Sequence, residues 1–459
     1  MASTYLTRTP SSAGNRKTFT WSAWVKRCSV DSTHYMVTQG ADSNNNWTIL
    51  FDGANRLQTW NYVGGFQYNL KLTRVFRDTN AWYHIVVAVD TTQATASDRV
   101  KIYVNGVQQT TFVSGEDTYP SQNADMYVNS TNGTFRIGYY TSGGSYFNGY
   151  MSHVHFCDGS ALAPTVFGST DSTTGEWKIN TSPSFTPGTN GFTILKDGNT
   201  ITDQSANSNN FTVGAGTLTK SQDNPSNVFN TLNPLYRSNV SGQNNIGFNH
   251  ANTTWFPSSA SNTHSWGRST LGWTSGKYYM EFKIEEAGGG QASGVWMVPT
   301  ELPNDTSPQS TSNTAYGWQV QFSGSDQNFY TTNGGSTVAT ITTSVGSNPI
   351  VMMAIDADNN KMWIGHNGTW YNNNNASTTL NTSYPDHTWT PGTYGDMYQL
   401  AFQAYYSSGA YNNAYGNFGN GYFGTTAVAS AGTNASGIGI FEYDVPTGFT
   451  ALSTKGLNE

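Results

Sequence analysis

The sequence predicts an all-β protein made of two jelly-roll-like antiparallel β-sandwiches joined by a connector that contains strands. The first observation is a hairpin pattern that occurs twice, at 82–106 and 350–371. In each case an apolar segment is followed by a polar turn, then by a segment of alternating apolar and polar residues, and then by Asn-Gly. Asn-Gly accepts the positive φ angles of a tight turn. The second is composition, because aromatic residues make up 14% of the chain and charged residues only 11%. Packed cores are therefore available, while Asn, Ser, Thr and Gly must cover much of the surface.

The first module is expected to span residues 1–168. Its opening strand is visible at 19–26, where Phe, Trp, Ala and Val alternate with Thr, Ser, Trp and Lys, the pattern of a half-buried strand. The hairpin at 82–104 follows, and then come FRIGYY at 135–140 and FNGYMSHVHF at 147–156. These pieces, in this order, resemble the laminin-G/concanavalin A-like sandwich over nearly its full length. The resemblance implies the same fold here.

Residues 169–235 are expected to form the connector. Gly, Asn, Ser and Pro fill most of it, and strands are expected at 191–195 and 210–213. Its end, DNPSNVFNTLNPL at 223–235, resembles a segment of tailed-phage structural proteins, especially marine cyanophage-like ones, where it joins the same two kinds of sandwich. The resemblance implies a virion structural protein that is made in the host cytoplasm and exposed on the particle surface.

The second module is expected to span residues 236–459. Its motifs are GKYYMEFKIEE at 276–286, the hairpin at 350–371, NFGNGYF at 417–423 and FEYDVPTGFTAL at 441–452. In this order they resemble the opening strand, central hairpin, NFGxxxF motif and closing strand of SPRY (B30.2) domains. The resemblance implies a second β-sandwich, and we treat NFGNGYF as a fold motif rather than a site.

The charge pattern argues against nucleic acid and membranes as partners. The net charge is −7 and Lys and Arg form no cluster, whereas nucleic-acid binding needs cationic groups that displace counterions. No basic amphipathic helix is visible, and the longest apolar runs are too short to cross a bilayer. The N-terminal residues lack the apolar region of a signal peptide. Assembly into a virus particle inside the host explains a surface of extracellular type without an export signal, and signal-free bacterial export is the alternative.

An enzyme has to be considered, because glycosidases exist on the concanavalin-type sandwich and carry Glu, Asp and Glu on one strand face. The nearest pattern here is Glu281, Lys283 and Glu285, which alternate along one strand. Lys283 stands where such a site needs Asp, and its charge would lower the pKa of both carboxyl groups, leaving no general acid. We therefore predict a solvated strand face and a protein that is not an enzyme.

Metal and thiol chemistry have two candidates. His153, His155 and Cys157 alternate along a strand, but their spacing spreads them over roughly 13 Å, so we expect surface or interface residues rather than a metal site. Cys28 and Cys157 lie on strands that are antiparallel in the resembled fold. A disulfide between them is possible, although a reducing cytoplasm favours free thiols.

No cofactor is expected, with calcium as the alternative. Laminin-G relatives often hold a calcium ion at the sandwich edge, and Asp42, Asp52, Asp356 and Asp358 are the possible ligands here, but no D-x-D-x-D-G loop is present. The Gly-rich segments 288–294 and 333–337 lack the Lys and following helix of a phosphate-binding loop. They are expected to be hairpin turns.

The binding candidates are aromatic residues in loop-like segments, because sugar rings stack on flat aromatic faces while neighbouring polar groups bind the hydroxyls. Core packing and subunit contacts are the alternatives for each of them. The candidates are Trp60, Tyr62, Tyr139, Tyr140, Tyr146, Trp370, Tyr371 and Trp389, with a further group at Tyr405, Tyr406, Tyr411 and Tyr415.

The sequence thus predicts a non-enzymatic virion protein, as a fibre, tail-associated or head-decoration component that binds a glycan or protein of the host surface. The expected partners are other virion proteins and copies of the same chain, with a trimer inferred from the resemblance to fibres and decorations. Many copies would raise the affinity of a weak site through effective concentration. A purely structural cement protein and a polysaccharide-degrading enzyme are the alternatives.

Overall fold

Both halves of the chain fold into antiparallel β-sheets. The computed structural model describes residues 4–196, 200–258, 263–285, 291–310, 314–323, 326–334, 336–342, 344–392, 394–406 and 412–458. The chain divides into a first unit, Met1–Lys220 with Asn224–Ser226, and a second unit, Ser221–Asp223 with Asn227–Glu459. The segment predicted as a connector is thus shared between the two units. The predicted all-β fold with two antiparallel sandwiches is confirmed.

The first unit has an eight-stranded sheet in the order β10-β6-β5-β4-β3-β11-β1-β16, a six-stranded sheet in the order β15-β12-β2-β7-β8-β9, and the pair β13-β14. Its strands are β1 (Tyr5–Arg8), β2 (Thr18–Arg27), β3 (His34–Asp42), β4 (Asn45–Phe51), β5 (Arg56–Val63), β6 (Phe66–Val75), β7 (Trp82–Asp90), β8 (Val100–Val104), β9 (Val107–Gln109), β10 (Phe112–Thr118), β11 (Thr134–Ile137), β12 (Gly149–Asp158), β13 (Gly168–Thr170), β14 (Trp177–Ile179), β15 (Phe192–Ile194) and β16 (Thr212–Ala215).

The two large sheets of the first unit pack face to face over one core. Phe19 on β2 meets Trp47 on β4 edge to face, with ring centroids 5.4 Å apart, which is a favourable aromatic geometry. Strand β2 is buried on both faces, because Trp24 and Lys26 are only 4% and 1% exposed. The prediction of a half-buried strand is therefore wrong for β2. The reason is that the segment after β12 covers its outer side, where Thr20 hydrogen-bonds to Ser160 and Leu162. Trp177 on β14 likewise stacks on His84 of the neighbouring β7.

The second unit contains one curled sheet of fifteen strands, in which β17 pairs antiparallel with β18 and parallel with β19 and so joins two halves. Its strands are β17 (Asn244–Asn249), β18 (Thr254–Pro257), β19 (His264–Trp273), β20 (Lys277–Glu285), β21 (Gln291–Pro299), β22 (Tyr316–Ser323), β23 (Asp326–Asn333), β24 (Ser336–Thr342), β25 (Ile350–Asp356), β26 (Lys361–His366), β27 (Thr369–Trp370), β28 (His387–Thr388), β29 (Tyr398–Tyr405), β30 (Asn413–Asn417), β31 (Tyr422–Phe423), β32 (Thr426–Ala427) and β33 (Thr450–Ala451); β31 and β32 form a separate pair.

The two halves of the curled sheet face each other across a core rich in aromatic rings. Trp255 on β18 packs on Phe402 of β29 with centroids 5.0 Å apart, and Phe282 on β20 packs on Trp318 of β22 at 5.4 Å. A second apolar layer covers the outer side of β20, where Phe441 meets Tyr279 at 4.9 Å. The predicted closing strand at 441–452 is therefore mostly a covering segment, and only β33 within it pairs with β20.

Both predicted Asn-Gly hairpins are present. Strand β7 pairs antiparallel with β8, and β25 pairs antiparallel with β26. The dipeptides that follow, Asn105-Gly106 and Asn367-Gly368, have φ angles of 49° and 78°, and of 47° and 83°. This is the backbone region that Asn and Gly tolerate best.

Helical structure in the described part of the chain is confined to short 3₁₀ turns at Ala96–Asp98, Pro164–Val166, Pro308–Ser310 and Gly456–Asn458. None of these described turns is long and apolar enough to cross a membrane.

Candidate functional site

The outer face of the eight-stranded sheet gathers aromatic residues from separate parts of the first unit. Trp60 on β5 lies directly opposite Thr48 on β4, which lies opposite Thr38 on β3. Residues opposite each other in antiparallel strands point to the same side of a sheet. This side is opposite the one that carries core residues such as Leu57 and Ile49. We call its rings the aromatic face: Tyr35, Trp60, Tyr62, Phe66 and Tyr140.

The rings of the aromatic face hold one another in place. Tyr140 stacks on Tyr35 with centroids 4.4 Å apart, and Tyr35 meets Trp60 edge to face at 6.3 Å. Phe66 contacts Trp60 at 6.1 Å and Tyr62 at 5.0 Å, in both cases edge to face. Phe66 is 52% exposed, and the other four rings are half-buried. The face therefore combines fixed ring positions with accessible apolar surface.

Asn46 fixes the polar edge of this cluster. Its side chain is fully buried, and its Oδ1 accepts hydrogen bonds from Trp60 Nε1 at 2.8 Å and from Thr48 Oγ1 at 3.1 Å. Its Nδ2 donates to the backbone oxygens of Asp42 and Ser43. Because a buried amide with satisfied partners has little freedom to move, Asn46 sets the orientation of the Trp60 indole.

The segment 139–146 forms a second aromatic group. Tyr139 and Tyr146 form an isolated β-bridge, and their rings lie tilted to each other with centroids 4.6 Å apart. Tyr139 also stacks on Tyr5 at 4.5 Å. Between them Gly143 and Gly144 have φ angles of 91° and 94°, which only glycine adopts without strain. The predicted Gly-Gly turn is thus present. Burial raises the pKa of the adjacent Tyr140, so that its phenol stays neutral and able to donate.

A polar network that the sequence did not reveal adjoins Trp60. Asn69 lies opposite Trp60, and Lys71 lies opposite Gln58, so the network shares the face of the aromatic residues. We call it the polar patch, and it consists of Asp52, Gln58, Asn69, Lys71 and Glu116. Gln58 Nε2 donates to Asn69 Oδ1 at 2.7 Å and to Glu116 Oε2 at 3.0 Å. Asn69 Nδ2 donates to the same Glu116 oxygen at 3.3 Å. Lys71 Nζ forms ion pairs with Glu116 Oε1 at 2.8 Å and with Asp52 Oδ2 at 3.4 Å. Its members come from β5, β6, β10 and the turn after β4, so only the strand register reveals the patch.

The predicted residues of the second unit are not brought together in this way. Trp370 and Trp389 are only 3% and 5% exposed. Trp370 packs near Tyr279 at 6.1 Å, and Trp389 packs against Tyr398 at 5.7 Å. Both rings belong to apolar cores, so the expectation of exposed rings is wrong for them. Tyr371 is half-buried.

The further tyrosines of the second unit lie apart from these cores. The ring of Tyr405 lies tilted against that of His264 with centroids 4.6 Å apart, and Tyr406 is half-buried just beyond the same strand. Tyr411 lies outside the described residues. The Tyr415 hydroxyl donates to the carboxylate of Glu285.

Glu281 is buried, so the prediction of a solvated strand face is wrong at this position. It is 0% exposed, and the C-terminal segment covers it. Four donors reach its carboxylate: Tyr279 Oη at 2.9 Å, Asn417 Nδ2 at 3.2 Å, and the backbone N–H groups of Glu442 and Tyr443, both at 2.8 Å. Burial raises the pKa of Glu281 to about 7 despite these donors. Glu285 is exposed, so the two carboxylates occupy different environments.

Glu281 also explains the NFGNGYF motif. Asn417 donates to Glu281 and accepts hydrogen bonds through Oδ1 from the backbone N–H groups of Gly419 and Gly421, both at 3.0 Å. These glycines have φ angles of 112° and 81°. The asparagine therefore closes the turn, and the motif has a structural role.

His153, His155 and Cys157 are buried, at 7%, 2% and 1% exposure, so the prediction of surface residues is wrong. A bulge in β12 separates the first two, and His153 has a φ angle of 50°. His155 stacks on Phe167, with centroids 5.4 Å apart, and Cys157 donates to the Thr186 carbonyl. Residues beyond β12 thus cover this face. The described residues contain no group of three or more His, Cys, Asp or Glu arranged for a metal ion.

The two cysteines are reduced and form no disulfide. Their strands β2 and β12 are antiparallel neighbours, as the resemblance implied, but Cys157 lies opposite Thr20 while Cys28 follows the residue opposite Gly149. Eight residues of strand separate Thr20 from Cys28, which is roughly 26 Å. The register therefore rules out a disulfide between them.

The four candidate aspartates do not fit a calcium site. Asp42 and Asp52 lie in the first unit and Asp356 and Asp358 in the second. Asp42 accepts from the backbone N–H of Asn44 in its turn, and Asp52 pairs with Lys71. Asp356 pairs with Lys277 at 3.0 Å, and Asp358 accepts from the backbone N–H of Gly276. Each carboxylate already closes a turn or balances a cation.

Comparison with known proteins agrees with the predicted first module. Residues 2–166 match the family model described as the Concanavalin A-like lectin/glucanases superfamily. A search among curated proteins finds no match.

Several solved structures are similar in fold. Domain 4 of AbnA, an extracellular arabinanase from Geobacillus stearothermophilus solved with arabinotriose, has 19% identity, covers 34% of this chain and 68% of its own, and has a TM-score of 0.26. Mouse laminin α1 domains LG4-5 have 8% identity, 90% and 84% coverage, and a TM-score of 0.27. The SPRY domain of human HERC1 has 16% identity, 36% and 87% coverage, and a TM-score of 0.25.

Proposed function

We propose that this protein binds a glycan on the aromatic face of its first unit and does not transform it chemically. The observation that carries this proposal is the set of fixed, half-exposed rings around Trp60, with amide and carboxylate groups beside them. A sugar has an apolar C–H face and a polar rim of hydroxyls, and such a surface matches both.

The rigidity of the face supports binding. Trp60 is held through Asn46 and through edge contacts with Tyr35 and Phe66. A site that is ordered before its ligand arrives loses less conformational freedom on binding. The family description of residues 2–166, which covers lectins and glucanases, adds independent support for carbohydrate as the ligand class.

Between a lectin and a glucanase, the contacts of the polar patch favour the lectin. A glycosidase needs two carboxyl groups with the scissile bond between them. Here Glu116 and Asp52 both engage the ammonium group of Lys71, at 2.8 and 3.4 Å. Lys71 thus occupies the space that the bond would need. The alternative of a polysaccharide-degrading enzyme has less support for this reason.

Within this proposal the protein is a structural component of a virion, as a fibre, tail-associated or head-decoration protein displayed on the particle surface. The support is the low share of charged residues, 11%, and the resemblance of residues 223–235 to phage structural proteins. The chain is expected to form a trimer and to assemble with other virion proteins. Several copies on one particle would raise a weak glycan affinity through multivalency. A cement protein without a host ligand is the second candidate.

The test of glycan binding is a glycan array followed by calorimetric titration of the best sugar. Trp60→Ala is expected to weaken binding at least tenfold, about 1.4 kcal/mol, because it removes the central ring of the face. Tyr103→Ala is the matched control, since Tyr103 is a half-buried tyrosine on the six-stranded sheet, and it is expected to bind like the wild type. Equal affinity of the Trp60 variant, in a folded sample, would contradict the proposed site.

The virion role has its own test, binding of the labelled protein to host cells with and without calcium. Saturable binding that blocks phage adsorption is expected. A correctly assembled sample that binds no cells but binds purified capsids or tails would favour the cement protein.

A further inference from the structure

We propose that the polar patch is a second sugar subsite, so that the ligand is an uncharged oligosaccharide of at least two sugars crossing β5 and β6. This inference rests on the proposed function and names the ligand class of that same face. It starts from the strand register, which places Asn69 opposite Trp60 and Lys71 opposite Gln58.

The spacing of the two subsites suits consecutive sugars. Gln58 and Trp60 are two residues apart on one strand, so their side chains leave the same face about 7 Å apart. A sugar on the Trp60 ring therefore has its neighbour in the chain beside Gln58 and Asn69. The segment 139–146 lies on the other side of Trp60, where Tyr140 stacks on Tyr35. From Trp60, further polar side chains are found only on the side toward β6 and β10 among the residues of the polar patch.

The polar patch has hydrogen-bonding capacity beyond its internal contacts. Gln58 Nε2 donates to Asn69 and Glu116, which fixes the amide and leaves its Oε1 with no hydrogen bond from the described residues. The Glu116 side chain is 31% exposed, and a carboxylate binds hydroxyl groups strongly. Gln58 is only 6% exposed, so a second sugar would bind mainly through the partly exposed Glu116 carboxylate, with the Gln58 acceptor fixed beside it.

The charges of the face select against acidic sugars. Lys71 is already paired with both Asp52 and Glu116, and the negative charge of Asp42 acts on Tyr140 of the aromatic face. Arg136, on β11 of the same sheet, uses its Nη1 on the Gly40 carbonyl and on Thr141. A uronic or sialic acid would therefore add an anion next to carboxylates, and like charges in contact are unfavourable.

The experiment is calorimetric titration of the full chain with the monosaccharide, disaccharide and trisaccharide of the neutral series, glucose, galactose or N-acetylglucosamine, that gives the strongest array signal. The wild type is expected to bind the disaccharide at least tenfold more tightly than the monosaccharide. Gln58→Ala and, independently, Asn69→Ala are expected to lose that gain, so that the ratio of disaccharide to monosaccharide affinity falls toward one. Gln108→Ala, an exposed glutamine on the other sheet, is expected to keep the gain. Thermal unfolding checks that each variant is folded.

The outcomes separate the two proposals. If the wild type binds the monosaccharide but gains nothing from the second sugar, or if folded Gln58 and Asn69 variants keep the gain, the second subsite is refuted and glycan binding stands. If the wild type binds no sugar of any length, the proposed function itself fails. A glucuronate-containing disaccharide is expected to bind more weakly than its neutral counterpart, and tighter binding would overturn the uncharged ligand class.

Discussion

Replacing Glu281 with alanine is expected to lower the free energy of unfolding of the second unit by about 4 kcal/mol at pH 5. The carboxyl group is fully buried and receives hydrogen bonds from Tyr279, Asn417 and the backbone N–H groups of residues 442 and 443. Alanine leaves these donors without an acceptor inside the protein, and it detaches the C-terminal segment from β20. Denaturant unfolding of the full chain measures the change. Glu285→Ala, on the same strand but exposed, is the matched control. It should change the free energy of unfolding by less than about 0.5 kcal/mol.

The same residue gives a pH dependence whose sign can be worked out. The pKa of Glu281 rises from 4.5 to about 7 because burial disfavours the charged form. The protonated group therefore stabilises the fold fully below pH 4.5, and this contribution is lost as the pH rises through 7. The stability difference between wild type and Glu281→Ala should narrow by about 3 kcal/mol from pH 5 to pH 8. A difference that widens with pH would show instead that the four donors hold the carboxylate ionised.

Acidification has the opposite effect on the first unit, whose free energy of unfolding we expect to fall by about 3 kcal/mol between pH 6.5 and pH 5. His84 and His155 are 1% and 2% exposed. Burial lowers the pKa of His84 to about 3 and that of His155 well below its usual value, with the charge of His153 as a smaller cause for both. Both stay neutral in the fold while the unfolded chain takes up protons below pH 6.5. Each therefore costs about 2 kcal/mol of stability at pH 5.

The contacts of His84 give the physical reason. Its Nδ1 accepts a hydrogen bond from Trp177 Nε1 at 3.0 Å, and its ring lies against Trp24 at 5.0 Å. A proton on Nδ1 would set two N–H groups against each other in an apolar layer. His84→Gln is expected to be less stable at pH 7 and to lose about 2 kcal/mol less than the wild type on going to pH 5. An unchanged pH dependence of the unfolding free energy in the His84 variant would refute the assignment.

The sequence predicted well what depends on local pattern. The alternation of residues 19–25 identified core residues such as Phe19 and Trp21, and the two Asn-Gly dipeptides located hairpin ends, because side-chain period and turn geometry are properties of a few consecutive residues. It failed where distant segments cover a strand. Neither His84, on which Trp24 stacks, nor His155 could be recognised as buried, since the rings that cover the two histidines come from the later segment around Phe167 and Trp177.

The candidate site was likewise predicted where it depends on local sequence and missed where it depends on contacts between distant segments. Composition and turn residues were enough to find Trp60, Tyr62 and Tyr140, because aromatic residues beside Gly and Asn stand out in a sequence. The polar patch was missed, since it exists only through the register of β5, β6 and β10. Trp389 was misjudged because a polar neighbourhood in sequence does not reveal that the chain folds back over a ring.

The most direct measurement is a crystal structure of the protein soaked with its best-binding neutral oligosaccharide. We expect one sugar ring within about 4 Å of the Trp60 indole and the next within hydrogen-bond distance, about 3 Å, of Gln58. An oligosaccharide found at the edge of the first sandwich or on the second unit, with the aromatic face empty at saturating concentration, would contradict the account.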